Sequence, residues 1–191
     1  MSLLVIGIVL FLGIHSIRIV AEPLRERLVN RLGILGFKSI YAIVSLLGLV
    51  LIVIGYGQAR LSPVLLYQPP AFLQHVTMLL MLIVFPALLA SHLPGRVQST
   101  LKHPLLVATK AWALSHLLVN GMLADVILFG AFLAWAVIDR ISIARRSTPS
   151  VSPQLPDSRF NDLIVIVGGL GLYLAFVFWL HPILIGVPAV A

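Results

Sequence analysis

Cysteine is absent from this 191-residue chain. Disulfides, thiolate metal sites, iron-sulfur clusters and cysteine nucleophiles are therefore excluded, which leaves histidine as the natural ligand for any metal. Charge is also scarce, with 10% of residues charged against 60% hydrophobic. No water-soluble fold covers that much apolar surface with so few charges, so the composition is that of an integral membrane protein with no room for a separate soluble domain. Unbroken runs of Leu, Val, Ile and Ala favour helices over barrel strands. At roughly 20 apolar residues per crossing they predict an all-α polytopic bundle of about six transmembrane helices. The net charge of +7 does not point to nucleic acid. Most Lys and Arg residues lie at the ends of apolar runs, where they set orientation and meet anionic lipid of the bilayer.

The first expected span runs from about Ser2 to Val20. No positive charge precedes its apolar run while Arg18, Arg25, Arg27 and Arg31 follow it, the reverse of a cleavable signal peptide. Glu22 to Phe37 mixes apolar and charged residues and breaks at Gly33 and Gly36, the pattern of a short interfacial amphipathic helix. A second span, about Lys38 to Gly57, carries Ser45, Gly48 and Gly55 on one face, where a neighbouring helix can approach closely. After a proline-punctuated loop, a third span runs from about Ala71 to Leu93 and is expected to kink at Pro86. The apolar stretch from Pro104 to Ile138 is too long for one crossing at about 1.5 Å per residue. A turn at Asn120-Gly121 divides it into a fourth span, about His103 to Val119, and a fifth, about Met122 to Ile138. Residues 139–161, rich in Arg, Ser and Pro, read as a flexible cytoplasmic linker. The sixth span runs from about Asp162 to Leu180 and is expected to end at His181-Pro182.

Counting cations orients the bundle. Arg18, Arg25, Arg27, Arg31, Lys38, Arg96, Lys102, Arg140, Arg145, Arg146 and Arg159 fall on one side, and Arg60 alone on the other. The cation-rich side is cytoplasmic, which places both termini on the non-cytoplasmic side. Lys110 falls inside the fourth span and needs a carbonyl, a ligand carboxylate or a water-filled pocket.

The six histidines sort by depth. His75, His92, His103 and His181 sit at or near span ends, where an interfacial role is the default. His15 and His116 lie about a turn or more inside their spans, where an ionisable side chain is costly and serves a site. On the fourth span Thr109, Trp112, Ala113, His116 and Asn120 form one stripe, while His103 and Lys110 share a different face. His103 and His116 are about 20 Å apart along the axis and cannot ligate one metal together. Two neutral imidazoles from different helices can clamp haem iron while a Lys or Arg pairs with the haem propionates. By depth alone, His15 with His103, and His116 with His75 or His181, are the geometrically easier pairs. No HExxH zinc signature, GxGxxG, Walker loop or Ser-His-Asp order is present.

The residues resemble the NnrU family, whose plant and cyanobacterial relatives include zeta-carotene isomerase, over nearly the whole chain. Gly13-Ile14-His15-Ser16 resembles the family's His-Ser element, and Gly36-Phe37-Lys38-Ser39-Ile40-Tyr41 is similar to the opening of its second helix. Lys102-His103-Pro104, His116, Asn120-Gly121 and Leu128-Phe129-Gly130-Ala131 resemble its basic-His-Pro, spaced-histidine and Phe-Gly-Ala series. Asp139-Arg140 and the closing His181-Pro182 with Gly186-Val187-Pro188 extend the likeness. The resemblance implies one NnrU-like membrane domain over residues 1–191, in the bacterial inner membrane, with haem b held by two histidines carried onto His15 and His116. The isomerase branch has a cysteine one helical turn before the second ligand, where this chain has Ala113, so a cysteine ligand switch is impossible here.

The NnrU branch is associated with nitrite and nitric oxide metabolism in denitrification, and that is the first functional expectation. The alternative is a haem-dependent cis-trans isomerase acting on an apolar polyene that enters between helices lined by Phe129, Trp112 and Trp135. A weaker alternative is an isoprenylcysteine-type membrane methyltransferase, which shares the basic-His-Pro motif; its downstream acidic and tyrosine-rich segment is missing. The plain reading of His103-Pro104 is a helix start with Pro in the first turn.

Overall fold

The computed structural model describes residues 1–146 and 154–189, and every regular element among them is helical. In chain order these are α1 (Ser2–His15), α2 (Ile17–Val20), α3 (Glu22–Ala59), α4 (Leu73–Ala90), α5 (Arg96–Leu101), α6 (Pro104–Val119), α7 (Leu123–Arg145) and α8 (Asn161–Ile185). Among the described residues, α3, α4, α7 and α8 are long and apolar enough to cross a bilayer. The other two apolar helices, α1 and α6, have 14 and 16 residues. At about 1.5 Å per residue they reach roughly 21 and 24 Å, short of a hydrocarbon core of about 30 Å. Six spans were expected from composition; four have the length by themselves. Large apolar side chains such as Leu46, Val53, Leu79 and Val167 stay exposed along these helices, the surface that a lipid solvent requires.

The chain forms two compact units, the first made of Met1–Gln68 and Asn120–Ser142 and the second of Pro69–Val119 with the described residues from Ile143 onward. In the first, α1 packs antiparallel on the C-terminal part of α3 through three glycines. A Cβ on Gly7 would lie 2.6 Å from the Ile52 nitrogen, and one on Gly48 would lie 2.7 Å from the Phe11 nitrogen. A Cβ on Gly55 would collide with the backbone of Leu3 and Leu4. The two backbones therefore touch, as small residues permit in a membrane. Leu4 and Ile8 of α1 and Ile52 of α3 are buried along the seam. The expected close-approach face on the second span is present.

Helix α3 joins the expected interfacial helix to the second span. Gly33, at φ 71°, breaks the geometry between them, while Gly36 remains helical. Only a residue without Cβ adopts that backbone readily. At the start of α3 Glu22 pairs with Arg18 and Arg25, both at 3.2 Å. The loop after α3 docks on the turn before α7, with the Leu66 amide donating to the Gly121 carbonyl and the Leu123 amide to that of Val64. This turn is the Asn120-Gly121 break expected from sequence. Gly121 leaves no room for a Cβ against Tyr67.

In the second unit α4 and α6 pack antiparallel around Val84, Ala87 and Ala108, flanked by Met81, Ala111 and Trp112. Thr77 Oγ1 donates to the Ser115 carbonyl at 2.9 Å. Helix α8 lays Gly169 against Pro86, where an added Cβ would lie 2.6 Å from the proline Cα. Two π-turns interrupt α8, at Ile164–Gly168 and Phe176–Leu180. The helix does not end at His181-Pro182 but runs to Ile185. Pro182 occupies a first-turn position of the segment that restarts after the second π-turn, where no amide hydrogen is needed. The start of α8 is a clamp. Asp162 accepts hydrogen bonds from the Arg96 and Val97 amides, at 3.1 and 3.0 Å. Buried Asn161 donates to the Pro94 carbonyl at 2.9 Å. Of the expected linker, residues 139–145 are helical as the end of α7, and residues 147–153 lie outside the described residues.

Candidate functional site

His15 closes α1, and its position follows from the glycine seam. Its Nδ1 lies 2.6 Å from the Phe11 carbonyl one turn back. A carbonyl only accepts, so Nδ1 carries the hydrogen and Nε2 keeps its lone pair. Among the described residues Nε2 has no hydrogen-bond partner. The ring stacks on Phe11 with centroids 4.3 Å apart, meets Tyr41 at 5.1 Å, and faces the edge of Trp135 at 6.1 Å. Phe132 continues the aromatic surface from Phe11 at 5.7 Å. All of this belongs to the first unit.

His116 repeats the arrangement in the second unit. Its Nδ1 lies 2.9 Å from the Trp112 carbonyl, again four residues back, and its ring sits 5.4 Å from that of Trp112. Its Nδ1 is also the donor, which makes Nε2 the basic nitrogen. Lys110, half-buried six residues into α6, forms no ion pair among the described residues. His103 immediately precedes the same helix, so His103 and His116 lie at opposite ends of α6 and are not brought together. Lys102, just before it, is the one described non-glycine residue with positive φ, at 59°, and the His103 amide reaches back to the Leu101 carbonyl at 2.6 Å. This is a strained three-residue turn.

The remaining histidines are placed otherwise. His92 Nδ1 bonds Ser91 Oγ at 2.8 Å, His181 Nδ1 meets the Val187 carbonyl at 2.7 Å, and His75 is exposed. No group of three metal-ligating side chains occurs among the described residues. Three buried side-chain polar atoms have no partner among them: Ser45 Oγ, Ser115 Oγ and Trp135 Nε1. Trp135 faces His15, Ser45 follows Tyr41 by one turn on the face that receives α1, and Ser115 adjoins His116. Unsatisfied buried polar atoms are rare in folded proteins.

Sequence reasoning missed one buried carboxylate. Asp125, 5% exposed, accepts a hydrogen bond from Tyr56 at 2.5 Å and one from the Met122 amide at 3.1 Å, within the first unit. Its tyrosine partner, 69 residues earlier, carries no local signal. Tyr67 beside it donates to the Asn120 carbonyl. Desolvation, and then the Asp125 charge, push the Tyr67 hydroxyl above its ordinary value, so it stays a donor at neutral pH.

Long apolar helices and a lipid-compatible exterior define an all-helical integral membrane protein. A family model described as NnrU protein matches residues 3–189, and the chain belongs to that family. No curated protein and no solved structure matches it.

Proposed function

We propose that the protein binds haem b in the bacterial inner membrane, with His15 and His116 as nitrogen ligands to iron, and supports nitrite and nitric oxide metabolism. The observation that carries the proposal is the shared state of the two imidazoles. Each fixes its Nδ1 hydrogen on a carbonyl of its own helix, which orients the ring and raises the basicity of Nε2, the arrangement of metal-ligating histidines. The aromatic surround of His15 and the unsatisfied indole nitrogen of Trp135 beside it fit a planar apolar group that also carries polar substituents. Lys110 and His103, which share a face near the start of α6, are the side chains available to the haem carboxylates. When bound, the haem supplies an iron centre for redox or ligand-binding chemistry. The chain's own residues hold it, exclude water and fix the imidazole tautomers.

The six-span topology with both termini outside belongs to the same reading. α1 extends through α2 to Val20, which restores a crossing of about 28 Å at helical rise. A second reading, a haem-dependent isomerase of a polyene, draws on Trp112 and Trp135 lying against the two candidate ligands.

Protein purified from cells supplied with haem is expected to show a Soret band and a pyridine haemochrome spectrum of haem b. His15→Ala and His116→Ala are each expected to abolish the low-spin spectrum. Absence of the band, or both variants retaining it unchanged, overturns the assignment. Deletion of the gene is then expected to slow nitrite or nitric oxide consumption, whereas a changed polyene isomer ratio in membranes selects the isomerase.

A further inference from the structure

The indole Nε1 of Trp135 is buried and unpartnered on α7, with its ring 6.1 Å from that of His15 and at 89° to it. Ser45 Oγ can rotate toward a carbonyl of its own helix, as serine hydroxyls do. An indole N–H has no such freedom: it is a donor only, on a rigid ring. Away from water an unmade hydrogen bond of this kind costs the desolvation of the group. Phe11 and Tyr41 occupy the surface around His15, and no side chain there accepts from the indole. An acceptor from a ligand or a water would complete the hydrogen bond.

We propose that Trp135 donates its indole hydrogen to a carboxylate of the group ligated by His15, so that this residue positions the ligand by one of its acidic side arms. The inference rests on the haem reading above and adds to it a residue that neither ligates iron nor carries charge. An ionised acceptor is the one that repays burial best, because charge-assisted hydrogen bonds are about twice as strong as neutral ones. Haem b carries two such carboxylates. An ordered water is the competing occupant, and it makes no distinction between a carboxylate and its ester.

The test titrates the full-length apoprotein in detergent with haem b and, separately, with haem b dimethyl ester, following the Soret band. Wild type is expected to prefer the free carboxylate. Trp135→Phe is expected to reduce that preference by about tenfold or more, the worth of a hydrogen bond to a charged group. Its affinity for the ester and its low-spin spectrum are expected to stay unchanged, which also shows that the variant folds. Trp135→His, which retains a ring donor, is expected to recover part of the preference. If Trp135→Phe shows the wild-type ratio, the positioning role fails while haem binding stands. If wild-type protein takes up neither haem, both this inference and the haem reading fall.

Discussion

Lys102 holds a backbone conformation that L-residues avoid, and its side chain is exposed, so the strain is not offset by packing of its own. Conformations of this kind cost of order 1–3 kcal/mol and concentrate where the chain must be aimed. Here the turn aims His103 and starts α6, the helix that carries Lys110 and His116. Lys102→Gly is expected to stabilise the protein by about 1 kcal/mol, read as a higher midpoint in thermal unfolding in detergent. A lower midpoint would mean that the lysine side chain contributes more than its backbone costs. The Lys-His-Pro triplet was legible in the sequence as a motif, and Pro104 as a helix start. The turn itself was not, because nothing in a lysine announces positive φ. Similarly, His15 and His116 could be singled out from the apolar runs around them, but their tautomers could not. Those depend on which carbonyl each ring reaches, and that is fixed by side-chain rotamers.

At the level of helices, the glycine seam between α1 and α3 makes a sharp contrast possible. Gly55 faces the α1 backbone, whereas Gly57, two residues on, has open space where a Cβ would stand. Gly55→Ala is expected to destabilise by about 1–3 kcal/mol through overpacking. Gly57→Ala is expected to be neutral or slightly stabilising, since alanine suits a helix better. Thermal unfolding of the two variants side by side checks this, and equal midpoints would contradict the seam. Gly48 and Gly55 could be singled out beforehand because their seven-residue spacing puts them on one face. Gly7 could not, since a lone glycine in an apolar run carries no period. The split of the long apolar stretch at Asn120-Gly121 was visible as turn chemistry. The extent of α7 to Arg145 was not, because polar residues past Ile138 continue a helix without announcing it. The Asp162 clamp on the start of α5 was also hidden, since its two ends are separated by more than sixty residues.

For the whole molecule the natural lack of cysteine provides the means to test sidedness, because any introduced thiol is unique. Gln58→Cys, beside Arg60, is expected to react with an impermeant maleimide on intact spheroplasts. Gln98→Cys, between Arg96 and Lys102, is expected to react only after lysis. The reverse pattern, or equal labelling, would refute the cation-based orientation. Helix α8 carries a last consequence. Each of its two π-turns winds one residue more than an α-helical path between the same two points, so the chain there carries surplus length. Removing a single residue from Phe176–Leu180 would relax that turn to α-helix and leave His181 and all that follows facing the same way, whereas the same deletion in a regular α-helical stretch would rotate them by about 100°. The two turns thus act as length buffers, each able to lose one residue while the packing of Gly169 on Pro86 and the direction of the closing segment stay as they are.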